Sequence, residues 1–212
     1  MIVLIIICTI VLGVAFYVGR TIAYNRALVK KLIKYNFNKN IQLHKYVIYD
    51  IIKNINNKTN PKMLVFGLGY DSKMWITINK NTFFVEDSAK YIELNKSFIP
   101  QENIIQYSYD NISVRTSFVL SNSDIEKYTL PEKLKNEAPF DIILIDGPVG
   151  NNMSRPGRLL PCYFSTLISK KNTLIYVDDS RRKLETYCIK KYFRHKPKFV
   201  FKQRLYCTRI LM

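Results

Sequence analysis

Histidine, glycine and acidic side chains are scarce in this 212-residue chain: two His, seven Gly, and 16 Asp and Glu against 33 Lys and Arg. With only His44 and His195, far apart in the chain, catalysis resting on a histidine base has little to draw on. Of the four cysteines, Cys8 falls in an apolar N-terminal run. Cys162, Cys188 and Cys207 show neither CxxC nor metal-ligand spacing, which argues against a zinc site and a disulfide framework and for buried free thiols. No internal repeat and no long disordered linker is present. The acid deficit leaves a net charge of +17, which favours anionic partners: acidic glycans, nucleic acid or the headgroups of an anionic leaflet. A solvated basic surface in a Lys-, Asn- and Ile-rich composition is the bland alternative.

One long hydrophobic run is present. Residues 1–19 carry no charged side chain, and 2–18 is almost continuously apolar. About 17 residues at a 1.5 Å rise reach roughly 26 Å, enough to cross a hydrocarbon core with snorkelling flanks. No Lys or Arg precedes the run and no small-x-small site follows it, so an uncleaved transmembrane anchor is expected rather than a signal peptide. Arg20, Arg26, Lys30, Lys31 and Lys34 all follow the span, and by the positive-inside rule they hold the remainder in the cytosol. A basic helical segment spans 20–60. Within it His44, Val47, Ile48, Ile51, Ile52 and Ile55 form one helical stripe, expected to pack on a sheet edge. Polar residues 54–60 and then Pro61 mark the boundary with a domain covering 61–212.

Beyond Pro61 short apolar strands alternate with helical stretches, the pattern of an α/β sheet. Strands are expected at 63–66, 82–85, 104–109, 141–145, 173–177, 198–201 and 204–210, with helices at 87–97, 124–135, 158–169 and 180–192. In such sheets ligands bind at the carboxyl ends of the strands. The first strand runs into Gly67-Leu68-Gly69-Tyr70-Asp71-Ser72, where two glycines permit a tight turn and close approach to a ligand. A dinucleotide site would want a third glycine where Ser72 stands, to seat a pyrophosphate. Its absence turns the expectation from NAD toward S-adenosylmethionine, which has no phosphate.

Five further blocks join this one. Met63 to Trp75 is similar to the Val-Phe-Gly-Leu-Gly-His-Asp-Ser-x-x-Trp block of the plant glucuronoxylan 4-O-methyltransferase family, the DUF579 polysaccharide-biosynthesis group. Phe83-Phe84-Val85-Glu86-Asp87 resembles its Phe-Leu-Glu-Glu, and Phe140 to Pro148 its Asp-Val-Ile-x-x-Asp-Gly-Pro. Arg155-Pro156-Gly157-Arg158 resembles Ala/Thr-Pro-Gly-Arg, Val177 to Glu185 resembles His-Asp-Val-Asp-Arg-x-Val-Glu, and Leu205 to Ile210 resembles Leu-Trp-His-Phe-Arg-Ile. The blocks occur in the family's order over residues 61–212, and the chain departs from them at Tyr70, Asp178 and Cys207. The resemblance implies a Rossmann-like class I methyltransferase with a seven-stranded, mostly parallel sheet, behind an N-terminal transmembrane helix. It also implies a Golgi type II protein with a lumenal enzyme, opposite to the orientation the basic residues suggest.

On this reading Gly67, Gly69, Asp71 and Ser72 meet the cofactor, and Glu86 accepts from its ribose hydroxyls. Asp71 or Ser72 as a plain helix N-cap is the structural alternative. Asp146, Asp178 and Asp179 stand at neighbouring strand ends. Three acids in one cleft call for a cation, as in catechol-type O-methyltransferases, so a divalent metal held by Asp146, Asp178 and Asp179 is one expectation. Without metal, Asp146 or Asp179 serves as general base, with Arg182 beside it in the catalytic set. Arg155 and Arg158 are candidates to grip a uronate carboxylate, and Arg182 could equally bridge to Glu185 or Asp146. Trp75 is expected in the core. The function so read is a membrane-anchored, S-adenosylmethionine-dependent O-methyltransferase of a sugar hydroxyl on an acidic glycan. Two rivals stay open: a methyltransferase of nucleic acid or of a small hydroxylated molecule, and an inactive membrane-bound binding protein of the same fold.

Overall fold

The computed structural model describes residues 40–193, 198–200 and 207–212. The expected anchor at 1–19, residues 20–39 of the basic segment and His195 lie outside the described residues. Among those described, no helix is long and apolar enough to cross a membrane.

The strands are β1 (Met63–Phe66), β2 (Thr82–Glu86), β3 (Ile104–Gln106), β4 (Phe140–Ile145), β5 (Ser169–Val177), β6 (Lys198–Val200) and β7 (Thr208–Leu211). They form one mixed sheet in the order β3-β2-β1-β4-β5-β7-β6. β3, β2, β1, β4 and β5 run parallel, and β7 is antiparallel to both β5 and β6. β1 is apolar at every position, and β4 at every position but Asp141, because both faces are covered. Alternate residues divide between two cores. Leu64, Phe66, Ile143, Ile145 and Ile175 point one way, while Met63, Val65, Phe84, Ile142, Leu144 and Tyr176 point the other.

The helices are α1 (Lys45–Asn56), α2 (Ser72–Ile78), α3 (Ala89–Asn95), α4 (Val114–Ser117), α5 (Asn122–Ile125), α6 (Glu132–Glu137), α7 (Leu159–Ile168) and α8 (Lys183–Phe193). α7 and α8 cover the first core; α1 and α2 cover the second. Val47, Ile48, Ile51, Ile52 and Ile55 of α1 are all buried there, each contributing about 1.5–3 kcal/mol of transfer free energy. α1 therefore lies on the face of the sheet and not, as expected, on its edge. A polar clasp fixes it: Asp50 accepts from Arg209 Nη1 at 2.8 and 2.7 Å and from the Tyr176 hydroxyl at 2.7 Å. Trp75 is fully buried on the same face.

Other departures from the sequence expectations have local causes. The helix expected over 124–135 is broken: Ser121 caps α5 in a capping box, and Pro131, which has no N–H to donate, opens α6 afresh. β3 stops at Gln106, where Tyr107 and Tyr109 pack edge to face at 5.0 Å. α8 starts three residues later than expected because Asp179 takes a left-handed φ of 52° and its carbonyl accepts from Arg182 N first. Cys162, Cys188 and Cys207 are buried free thiols, as the spacing suggested.

Candidate functional site

Strand register assembles the site. Phe66 pairs with Val85 on one side and Ile145 on the other, and Ile145 pairs with Val177. The residues that follow each of these, Gly67, Glu86, Asp146 and Asp178, thus emerge side by side at the carboxyl edge.

The turn after β1 is built without side-chain volume. Gly67 holds φ at 109°, and a Cβ there would meet Gly147 N at 3.0 Å; a Cβ on Gly147 would lie 2.8 Å from Gly67 Cα. The backbones leaving β1 and β4 are therefore in direct contact. Glu86 locks the turn from the other side, accepting from Leu68 N at 2.5 Å and from Ser88 N at 2.7 Å. Burial pushes its carboxyl up to about 7 against those two donors. Ser72 is fully buried and its hydroxyl accepts from Gly69 N at 2.8 Å, so it shapes the turn and is shielded from any ligand. Asp71 precedes α2 but does not cap it; its carboxylate accepts from the indole N–H of Trp75 at 2.7 Å. Burial, and then the neighbouring Asp146, raise it to about 7. Tyr70, just before Asp71 in the chain, is half exposed.

Arg158 changes the reading of the acid cluster. It was expected to reach an acceptor, yet it is only 3% exposed. Its Nη1 donates to the carbonyl of Asp178. Its Nη2 donates to the carbonyl of Asp146 at 2.5 Å and to Asp146 Oδ1 and Asp179 Oδ2 at 3.3 and 3.0 Å. A guanidinium thus sits where the three acids were expected to hold a divalent cation. Among the described residues, no group of His, Cys, Asp and Glu is arranged to hold a metal ion. The arrangement expected for a divalent cation on Asp146, Asp178 and Asp179 is thus not found among the described residues, and Arg158 supplies positive charge to the Asp146 and Asp179 carboxylates instead. Burial works against charge on Arg158, but Asp146 and Asp179 outweigh it and raise its pKa. Asp178, whose side chain makes no ion pair among the described residues, is raised to about 7 by burial and by Asp146.

Asp146 and Asp179 keep side-chain exposures of 33% and 31% and so stand partly open to solvent at the carboxyl edge of the sheet. Arg182 pairs with Asp179 at 2.8 Å, and not with Glu185 or Asp146. Arg155 is exposed on the loop after β4. That loop is tied to the start of α4, since the Arg155 and Met153 carbonyls accept from Val114 N and Arg115 N at 2.7 and 3.0 Å. Two features escaped sequence reasoning. One is Arg158 as hub, although an Arg at the start of a helix facing three acids was a signal for it. The other is Tyr109, buried after β3 with an unpartnered hydroxyl close enough to Glu86 and Asp87 to feel both charges.

A doubly covered sheet in this order, with a glycine turn after β1 and acids after β2 and β4, is the Rossmann-like methyltransferase fold. No family model matches the chain. It is 28% identical over 172 residues to Glucuronoxylan 4-O-methyltransferase 3 of Arabidopsis thaliana, which covers 68% of this chain and 58% of that protein. Arabinogalactan O-methyltransferase 2 of the same plant is 27% identical over 148 residues, 58% of this chain and 51% of that one. The resemblance read from the sequence blocks is thereby borne out, and the chain spans little more than half the length of the curated relatives it matches. Among solved structures, a putative caffeoyl-CoA O-methyltransferase from Staphylococcus aureus superposes with a TM-score of 0.48 at 13% identity, covering 88% of this chain and 91% of that one.

Proposed function

We propose that this chain is an S-adenosylmethionine-dependent O-methyltransferase acting on a hydroxyl of an acidic polysaccharide, of the uronic acid 4-O-methylation type. The observation that carries the proposal is the convergence of the Gly67 turn, Glu86 and Asp146 at adjacent strand ends. The residues fit the cofactor. Each Glu86 oxygen, with one backbone donor, retains a lone pair for a ribose hydroxyl. Asp71 makes no ion pair among the described residues and offers its charge to the cofactor's ammonium.

Bound S-adenosylmethionine supplies an electrophilic methyl group. Asp146, exposed to the cleft, accepts the proton of the acceptor hydroxyl. Arg158 and Arg182 hold Asp146 and Asp179 in place, so little reorganisation accompanies the proton's arrival. Arg155, exposed on the loop after β4, is the remaining candidate to hold a uronate carboxylate, and the excess of 33 basic over 16 acidic residues supports a polyanionic acceptor. Residues 2–18 anchor the enzyme in a membrane, and the likeness to the plant relatives supports a Golgi-type setting.

Incubation with methyl-labelled cofactor and a panel of uronic-acid oligosaccharides, RNA and catechols tests the proposal. Label in the uronic-acid products alone is expected. Label in RNA or catechol instead would move the acceptor to another class, and no label at all would leave a binding protein.

A further inference from the structure

Glu185 stands in the first turn of α8 with no exposed surface, and neither carboxylate oxygen meets a hydrogen-bond donor. Burial raises the Glu185 pKa, and nearby positive charge, Arg158 first and then Arg182, is what works against that rise and keeps the carboxylate ionised. A matching anomaly lies in Arg158, which makes no direct ion pair with Glu185 but is coupled to it through space. Arg158, 3% exposed, commits both Nη atoms to the ends of β4 and β5, while its Nε is buried and unpartnered. The loop between β4 and α7 closes over the pair: a Cβ on Gly150 would lie 3.4 Å from Glu185 Oε1 and 2.9 Å from Gly157 Cα. The charges that Glu185 faces are Arg158 from the start of α7, Arg182 ahead of α8, and Asp179 from the end of β5.

We propose that Glu185 is a positioning residue, the counter-charge through which α8 fixes the Arg158 guanidinium and with it the spacing of Asp146 and Asp179. This rests on Asp146 being the proton acceptor. Arg158 is pulled toward the cleft by two carboxylates and two carbonyls. A negative group on the helix side balances that pull, so the guanidinium stays seated and the two acids keep their separation. Glu185 itself is sealed from the cleft and touches neither acceptor nor cofactor, so its effect falls on turnover and spares binding.

The test uses the full chain as wild type, Glu185→Gln, Arg158→Lys and the double variant. Glu185→Gln keeps the shape and removes the charge. The first readout needs no turnover: the Nε–H NMR signal of Arg158, identified by its loss in Arg158→Lys, should exchange slowly in wild type and shift in Glu185→Gln. In the second, Glu185→Gln should lower kcat about tenfold with the cofactor Kd changed less than about threefold. Glu185→Gln added to Arg158→Lys should then cost less than about twofold more, because both act through one group. An unmoved Arg158 signal with wild-type kcat, or fully additive losses in the double variant, would overturn the proposal. If Glu185→Gln does not fold, Glu185→Asp, one methylene shorter with its charge intact, is read by the same signal. A shifted signal in a protein that transfers no methyl group would support the placement of Arg158 and sink the methyltransferase reading instead.

Discussion

Replacing Asp71 by Asn should make the cofactor-free protein more stable and a poorer cofactor binder. In the native structure this carboxyl is buried, receives one neutral donor from Trp75, and faces Asp146. Its pKa rises from 3.8 to about 7. The folded state therefore retains a proton that the unfolded chain releases between those values. The contribution of Asp71 to stability is favourable below about pH 4 and is lost as pH climbs through about 7. A shift of roughly three units at 1.36 kcal/mol each sets a ceiling of about 4 kcal/mol above pH 7. Since the proton belongs to the pair with Asp146, the gain from one substitution is smaller, about 2 kcal/mol. The Asn carbonyl can still accept from the Trp75 indole, and its amide can donate to Asp146. For a chain of this length that is about 4–8 °C in Tm at pH 8, shrinking to less than about half by pH 5. Thermal unfolding of the two proteins across that range decides the matter. An Asn variant no more stable than wild type at pH 8, or a gain that does not shrink toward pH 5, would refute the reasoning. The same variant should bind S-adenosylmethionine about tenfold more weakly, a trade of function against stability.

Three further outcomes follow from particular contacts. Gly67→Ala places a Cβ against Gly147 at a φ of 109°, and should cost about 2 kcal/mol or more in urea unfolding, together with most cofactor affinity. Tyr176→Phe removes one donor to Asp50 in the clasp that seats α1, and should cost about 1–2 kcal/mol with turnover unchanged, measured by the same unfolding and by methyl transfer. Chelator should leave methyl transfer intact, since Arg158 supplies the positive charge among the acids; loss of activity restored by added magnesium would contradict this.

Much of the scaffold was legible because its signals are local. β1 and β4 are continuous apolar runs bounded by glycine or by acids, and the stripe from Val47 to Ile55 has a plain helical period. The strand-end rule brings Gly67, Glu86, Asp146, Asp178 and Asp179 together from the sequence alone. What the sequence did not disclose was direction. Arg158 reads as one more surface arginine until the loop after β4 folds back and turns it inward. Nothing local marks Glu185 as buried, because its enclosure depends on Gly150 and Gly157 lying against each other. The placement of α1 on the sheet's face depends on Asp50 meeting Arg209, 159 residues away, a pairing no window of periodicity can reveal. The metal expectation failed for the same reason: acids were counted, but the buried guanidinium between them was not.

The most direct test of the site is a calorimetric titration of S-adenosylmethionine into the full chain and into its Glu86→Ala variant. Binding by wild type is predicted, weakened at least about tenfold in the variant, because two ribose acceptors and the clamp on the glycine turn are lost together. A folded wild-type chain that gives no heat of binding, or a Glu86→Ala variant that binds as tightly as wild type, would contradict it.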